Sequence, residues 1–221
     1  LGDYSLGFDG EDDHVSIEDN ESLDLTDQLT LSAWINPSES GNSHHRTIAS
    51  KRSSGGANYQ LFLRSDPGLN EGRLSCYSIS GSITSSSYIP EVDTWTHVAA
   101  TITDGTNLII YANGAEVLTT TISPLTSNGG TLQIGKASNN TTETFLGNID
   151  EVQVWDRALS IGEIQQIIIE DQFPDDIERL VGYWDFNDGA GTTVSDGSGY
   201  GNDGTIPTHV VQSEGYSDAT I

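Results

Sequence analysis

Apolar residues at every second position, Leu29, Leu31, Ala33 and Ile35, constrain the fold of this chain more than any other feature of its sequence. A period of two marks a half-buried strand, and Val15 and Ile17 show it again just upstream. Similar runs continue along the chain. Asn58–Arg64 and Gly72–Ile79 make a pair joined through Ser65-Asp66-Pro67-Gly68, and Thr96–Thr103 ends at Asp104-Gly105. Leu108–Ala112 and Ala115–Leu118 flank Asn113-Gly114, a strong hairpin signal because both turn residues tolerate positive φ. Leu132–Gly135, Ile149–Trp155 and Leu180–Phe186 supply further strands. A Gly- and Asp-rich loop, Asn187–Gly204, then leads to a last strand around His209–Gln212.

One helix interrupts the strands. Ser160 with Glu163 forms a capping box, Ile161, Ile164, Ile167 and Ile168 follow at helical spacing, and Pro174 lies beyond. Roughly a dozen strands and one short helix predict an all-β, two-sheet sandwich. Its 221 residues suit one domain over 1–221, since sandwiches of this length commonly fold as single units.

The charge balance narrows the partners. The chain carries 33 Asp plus Glu against 8 Lys plus Arg, a formal net charge of −25, with Lys51 and Lys136 its only lysines. Nucleic acid, which needs clustered cations on phosphate, is excluded as a partner, and anionic membrane surfaces are disfavoured for the same reason. The acids read either as a solvated surface suited to salty surroundings or, in part, as calcium ligands. Asp9, Glu11, Asp12 and Asp13 crowd one turn, and such density repels itself unless water or a cation screens it. Cys76 stands alone among Leu74, Tyr77 and Ile79, so it reads as a buried, inert thiol. Methionine is absent and the chain opens within a motif at Leu1, without a signal peptide; it reads as a piece of a longer protein. No apolar run approaches the roughly 18 residues of a membrane span.

Four blocks, in order, resemble the laminin-G-like jelly roll of the concanavalin A-like lectin/glucanase superfamily. They are Leu6-Gly7-Phe8-Asp9-Gly10 with Asp12-Asp13-His14-Val15; Leu31-Ser32-Ala33-Trp34-Ile35; Thr94-Trp95-Thr96-His97-Val98-Ala99 leading to Tyr111-Ala112-Asn113-Gly114; and Gly147-Asn148-Ile149-Asp150-Glu151-Val152-Gln153-Val154-Trp155-Asp156-Arg157-Ala158-Leu159-Ser160. The resemblance implies an antiparallel jelly-roll sandwich. It also implies a calcium ion near the acidic turn, which nominates Asp9, Asp12 and Asp150, with Asp13 as the alternative to Asp12. Residues 180–206 resemble what usually precedes the first block, so 180–221 either supplies closing strands or begins a tandem repeat. The Asp196–Gly204 loop resembles a second calcium loop but lacks a following Glu.

Glucanases share this fold, and hydrolysis needs two carboxylates across the scissile bond. Strict alternation puts Asn148, Asp150, Val152 and Val154 on one face and Ile149, Glu151 and Gln153 on the other. One acid per face predicts a non-enzyme. Trp34, Trp95, Trp155 and Trp184 lie in apolar settings and are assigned to packing. His97 reads as a hydrogen-bonded sandwich residue, and His44-His45 lacks the further ligands that zinc requires. Sugar platforms are sought among Tyr59, Tyr77, Tyr88 and Tyr200, with Arg46, Arg52, Arg64 and Arg73 as polar partners. Arg64, Arg73, Tyr59 and Tyr77 are the nominated ligand residues.

The expectation is therefore a non-catalytic, calcium-supported recognition or adhesion module, binding a glycan or peptide. It would be a monomeric unit of a larger multidomain extracellular or cell-surface chain. An accessory carbohydrate-binding domain of a polysaccharide-degrading enzyme and a spacer in an adhesin array are the alternatives.

Overall fold

The structure, a computed structural model, describes residues 4–39, 44–53, 56–65, 71–77, 83–127, 129–138, 140, 142–170, 172–189, 191–206 and 211–214. Two antiparallel sheets carry it, their strands numbered in chain order. Sheet A runs β10 (Ala115–Thr121), β9 (Asn107–Ala112), β8 (Thr96–Thr103), β3 (Leu29–Pro37), β12 (Leu146–Trp155), β1 (Tyr4–Asp9) and β16 (Val211–Glu214), with β13 (Leu180–Trp184) also paired to β12. Sheet B runs β14 (Thr193–Val194), β15 (Gly204–Thr205), β2 (Val15–Ile17), β11 (Leu132–Ile134), β4 (Arg46–Ser53), β5 (Gly56–Arg64), β6 (Arg73–Tyr77) and β7 (Ile83–Ser85). This is an all-β jelly-roll sandwich with one short helix, α1 (Ile161–Glu170).

Period-two patterning explains the core. Val15 and Ile17 of sheet B meet Leu29, Leu31, Ala33 and Ile35 of sheet A in one buried cluster with Leu61, Leu63, Val98, Ile110, Val152 and Val154. The Asn113-Gly114 hairpin forms as its sequence requires, with φ of 47° and 70° at its two residues. A second apolar cluster lies on the outer side of sheet A. There Ile164, Ile167 and Ile168 of α1 cover Trp34, Ala99, Tyr111 and Trp155. The capping box holds the helix start: the Ser160 N–H donates to Glu163 Oε2 at 2.7 Å, and the Glu163 N–H points back to Ser160 Oγ.

Strand β4 is invisible to the patterning, for two reasons. A register shift between Thr47 and Ala49 breaks its alternation, and Lys51, a nominally exposed residue, is fully buried within it. Lys51 Nζ donates to Asp19 Oδ1 at 2.5 Å and to the Gly130 carbonyl at 2.6 Å, with Asp24 Oδ1 at 3.1 Å. Two carboxylates and a carbonyl compensate the loss of water around that ammonium. The expected turn at residues 66–68, Ile79, and residues 209–210 lie outside the described residues.

Strict alternation also fails in β12. The register slips between Asp150 and Gln153, and Glu151 takes a φ of 51°. Ile149, Val152 and Val154 consequently all enter the inter-sheet core. The expected separation of Asp150 and Glu151 onto opposite faces is therefore wrong. Asp150 is the register partner of Trp34, and Glu151 Oε2 accepts from the Tyr183 hydroxyl at 2.6 Å. Both acids leave the core on the side of the helix.

The tail joins both sheets: β13 pairs with β12, β16 with β1, and β15 with β2. Asp196 ties it down. Its Oδ1 accepts from the Tyr183 and Ser198 N–H groups, and its Oδ2 from the Ser198 hydroxyl and the Asn202 N–H. Four donors fill the acceptor sites of one carboxylate, so this loop is knotted by its own donors. Asn202 Nδ2 then donates to Val181 O and Ser22 Oγ, joining the tail to the front of the chain. Truncation at Pro174 removes Trp184 and Phe186 from the core and bares β12. The shortened protein is expected to be insoluble or molten; a cooperative melt at the full-length temperature would show that the tail is dispensable.

Candidate functional site

The acidic turn is the first site to test. Asp9 ends β1, Gly10 turns the chain with a φ of 79°, and carboxylate oxygens of Asp9, Asp12 and Asp13 lie within 4.8 Å of one another. Local bonds shape the turn: Asp13 Oδ2 accepts from the Asp9 N–H at 3.0 Å, and Asp9 Oδ1 from the Glu11 N–H at 2.8 Å. Asp13 is buried while Asp9 and Asp12 are exposed. Asp150 does not join this cluster. Register explains why, since Asp9 pairs with Leu146 and Asp150 lies four residues further along β12. The set is all hard oxygen and carries three negative charges, a donor chemistry that fits calcium. Next to it sits Arg46, buried at 3%, whose guanidinium bonds Glu39 at 2.8 Å. It approaches Gly10 so closely that a Cβ there would stand 3.1 Å from Nη1. Arg46 is thus a structural cation under the turn rather than a ligand group.

The second site is the outer face of sheet B. Side chains of register partners in neighbouring antiparallel strands share a face. Ser16, Gln133, Ser50, Gln60, Tyr77 and Ile83 are successive partners across β2, β11, β4, β5, β6 and β7. Their chain neighbours Ile17, Ile134, Ala49, Leu61 and Cys76 are in the core, so this row faces outward. Its span is roughly 24 Å, from five strand spacings of about 4.8 Å. Arg52 reaches over it. The guanidinium lies 4.7 Å from the centroid of the Tyr77 ring, and its Nη1 donates to Gln60 Oε1 at 3.1 Å and Glu143 Oε2 at 3.0 Å. Asn140 Nδ2 fixes the other oxygen of Glu143 at 2.8 Å. Ser50 Oγ, Arg52 Nε and Gln133 Oε1 are buried without a hydrogen-bond partner among the described residues.

Two further outward rows complete the face. Phe62, Ser75 and Ser85 are one, and Arg64 opposite Arg73 is the other. His45 covers Phe62, with ring centroids 4.9 Å apart, and its Nδ1 accepts from the Ser65 N–H.

Of the nominated ligand residues, Arg64, Arg73 and Tyr77 share this face and Tyr59 does not. Tyr59 is a register partner of Lys51 and points into the core. Its hydroxyl donates to Leu23 O at 3.1 Å, and burial raises its pKa, with Asp24 and Asp19 adding to the shift. The missed members are Arg52's partners Gln60 and Glu143. Alternation could have placed Gln60, but Glu143 comes from a loop joined to it only through space.

Two other groups are settled by burial. The Cys76 thiol is pushed up to about 12, which leaves it unreactive, as expected. His97 is buried edge-on to Trp34, with ring centroids 5.4 Å apart, and its Nδ1 has no hydrogen-bond partner among the described residues. The hydrogen-bonded ring expected there is therefore corrected at that nitrogen.

A sequence profile described as the concanavalin A-like lectin/glucanases superfamily, of laminin G type, matches residues 9–165. The chain belongs to that superfamily. Among solved structures, it superposes on a candidate carbohydrate-binding protein of Bacteroides ovatus with a TM-score of 0.75 and 20% identity, over 98% of this chain and 60% of that one. The chain thus spans 60% of the length of that relative. Domain 4 of AbnA, a GH43 extracellular arabinanase of Geobacillus stearothermophilus in complex with arabinotriose, superposes with a TM-score of 0.58 and 19% identity, over 74% of this chain and 76% of that one. For a heptameric SAP-like pentraxin of Limulus polyphemus the values are 0.56, 23%, 75% and 82%. At these identities the shared property is the fold. No curated protein matches the chain in sequence. No helix among the described residues is long and apolar enough to cross a membrane.

His97 yields a pH prediction. Burial depresses its imidazole to about 3 from the usual 6.5, so on acidification the unfolded chain binds a proton that the folded one refuses. That contribution is fully present above about 6.5 and is lost progressively as pH falls toward 3. Relative to wild type, His97→Leu should gain stability as pH is lowered from 6.5 to 4, read as a growing difference between urea midpoints. A constant difference would show that His97 is not buried neutral.

Proposed function

We propose that this domain is a non-catalytic carbohydrate-recognition module, supported by calcium, of a larger extracellular or cell-surface protein, and that it takes its ligand on the outer face of sheet B. The observation that carries this reading is the half-exposed Tyr77 ring with Arg52 over it, at the edge of a row of Ser and Gln side chains. Sugars offer apolar C–H faces to aromatic rings and hydroxyls that both donate and accept. The unmet hydrogen-bonding capacity of Ser50, Arg52 and Gln133 costs about 1–3 kcal/mol per group, and movement of Arg52 on ligand entry would let hydroxyls meet it. Two solved structures sharing the fold are named for carbohydrate binding or hold arabinotriose. The arabinanase domain favours one variant of this reading, an accessory module beside a polysaccharide-degrading enzyme.

Burial argues against catalysis by β12. Asp150 is 1% exposed and Glu151 6%, the first beside Trp34 and the second bonded to Tyr183. A glycosidic bond would have no approach to the pair without unpacking these aromatic rings. Oligosaccharides retained on a glycan array should bind Tyr77→Ala about tenfold more weakly, with its melting temperature near wild type. Failure of the wild-type domain to retain any glycan would remove the reading, and release of reducing ends would overturn its non-catalytic part.

Calcium in this reading is held by Asp9, Asp12 and Asp13, with backbone carbonyls completing the oxygen shell. Its chemistry there is charge neutralisation, which fixes the turn between β1 and β2. A cation that binds only the folded chain adds about 2.7 kcal/mol at a hundredfold excess over Kd. Melting with calcium should therefore exceed melting with EGTA by several degrees, and Asp12→Asn should shrink the gap. Superimposable curves at moderate salt would remove the metal from the proposal.

A further inference from the structure

We propose that the glycan taken by this face is an uncharged polysaccharide segment laid across the strands, running from Tyr77 to the short β14–β15 pair in the tail. The inference rests on the reading of sheet B's outer face as the glycan surface and adds the class and the course of the ligand. The outward row that holds Ser16, Gln133 and Tyr77 does not stop at β2. Thr205 of β15 is the register partner of Ser16, and Thr193 of β14 is the partner of Thr205. Val194 lies in the core, and a Cβ on Gly204 would meet Val15, so both threonines face outward with the row. It thus crosses all eight strands of sheet B without one acidic or basic side chain, on a protein whose net charge is −25.

Burial sets the direction. On the next row of the face, Thr47, Phe62 and Ser75 are buried, and His45 packs on Phe62. A ligand on Tyr77 is therefore stopped from running along β5 and β6 on that side. Across the strands the face opens: Gln133 and Ser16 are half-buried, and Thr205 and Thr193 are exposed. Between them and Tyr77, Gln60 lies under the Arg52–Glu143 ion pair. The two charges of that pair cancel, so the strip stays neutral where it is roofed.

The strip offers hydroxyl and amide chemistry. Gln133 Oε1 has no hydrogen-bond partner among the described residues. Thr205 Oγ1 donates to the Ser16 carbonyl at 3.2 Å, which leaves its lone pairs for a ligand hydroxyl. Groups of this kind match sugar hydroxyls, whereas a charged ligand group would lose water here without gaining a counter-charge. Exposed Glu18, directly beyond β2, opposes a carboxylate-bearing chain. Tyr77 and Thr205 are five strand spacings apart, about 24 Å, so a ligand that touches both has several sugar units. Strands β14 and β15 lie beyond residues 9–165, the span that the superfamily profile matches; this extension of the face is a contribution of the tail.

The test measures the affinity of arabinan, xylan, mannan and cellulose oligomers, from dimer to octamer, by calorimetry on the full chain. In a series that binds, the longest oligomers should bind tenfold or more tightly than the dimer, which reaches only the Tyr77 end. Ser16→Ala combined with Thr205→Val should cost the longest oligomers about tenfold and so remove the gain from length. Thr205→Val alone, at the exposed end of the strip, should remove part of that gain, which keeps the test independent of the double variant's stability. Tyr77→Ala should weaken every length. Affinity independent of length, or a gain that both variants keep, overturns the crossing and leaves the glycan reading standing. Tighter binding of uronate oligomers than of their carboxyl-reduced forms, or of chitosan than of chitin oligomers, overturns the uncharged class. Failure of every oligomer, neutral or charged, to bind defeats the glycan reading itself.

Discussion

The slip in β12 is the constraint on which the rest of this molecule depends. That strand pairs with β3 on one side and with both β1 and β13 on the other, so it holds the beginning, middle and end of the chain in one sheet. A straight strand would send Ile149 to one side and both Val152 and Val154 to the other. One added residue with a positive φ at Glu151 brings all three into the inter-sheet core. It also turns Trp155 outward to receive α1. Bulges bend a strand and re-aim its side chains. Here the bulge lets one strand serve two apolar clusters.

Charge follows a division of labour. Three of the few cations are internal fittings: Lys51 anchors the segment around Asp19 and Asp24, Arg46 underlies the acidic turn, and Arg157 ties the helix start to Asp176. Most of the excess acid remains on the surface, where water and salt attenuate its repulsion.

Much of the fold was legible in the sequence because its causes are local. Asn113-Gly114 fixes a hairpin through its own backbone preferences, and Ser160 with Glu163 caps a helix within one turn. Leu29 through Ile35 alternates without interruption. What escaped depends on contacts between distant residues. The run Arg46–Ser53 does not read as a strand until Asp19, Asp24 and the Gly130 carbonyl are placed around Lys51. Tyr59 resembles a surface aromatic until β5 is known to turn it toward Leu23. Arg64 and Arg73 were legible as cations, but their opposition across β5 and β6 is a property of register. Asp150, grouped by resemblance with Asp9 and Asp12, is separated from them by four residues along β12.

The pairing of β1 with β16 has a mechanical consequence. Tyr4 is the partner of Glu214, so the first residue of β1 and the last of β16 lie at one end of the same antiparallel pair. Tension applied through these two residues would part the strands one hydrogen bond at a time, as a zipper opens, instead of shearing the whole ladder at once. Such a geometry yields at low force. Because β16 is the outermost strand on that side of sheet A, it can peel away while β12 keeps its bonds to β3. The surface of sheet B carrying Arg52, Tyr77 and Arg73 belongs to the opposite layer. The domain would thus lengthen under load before that layer is disturbed.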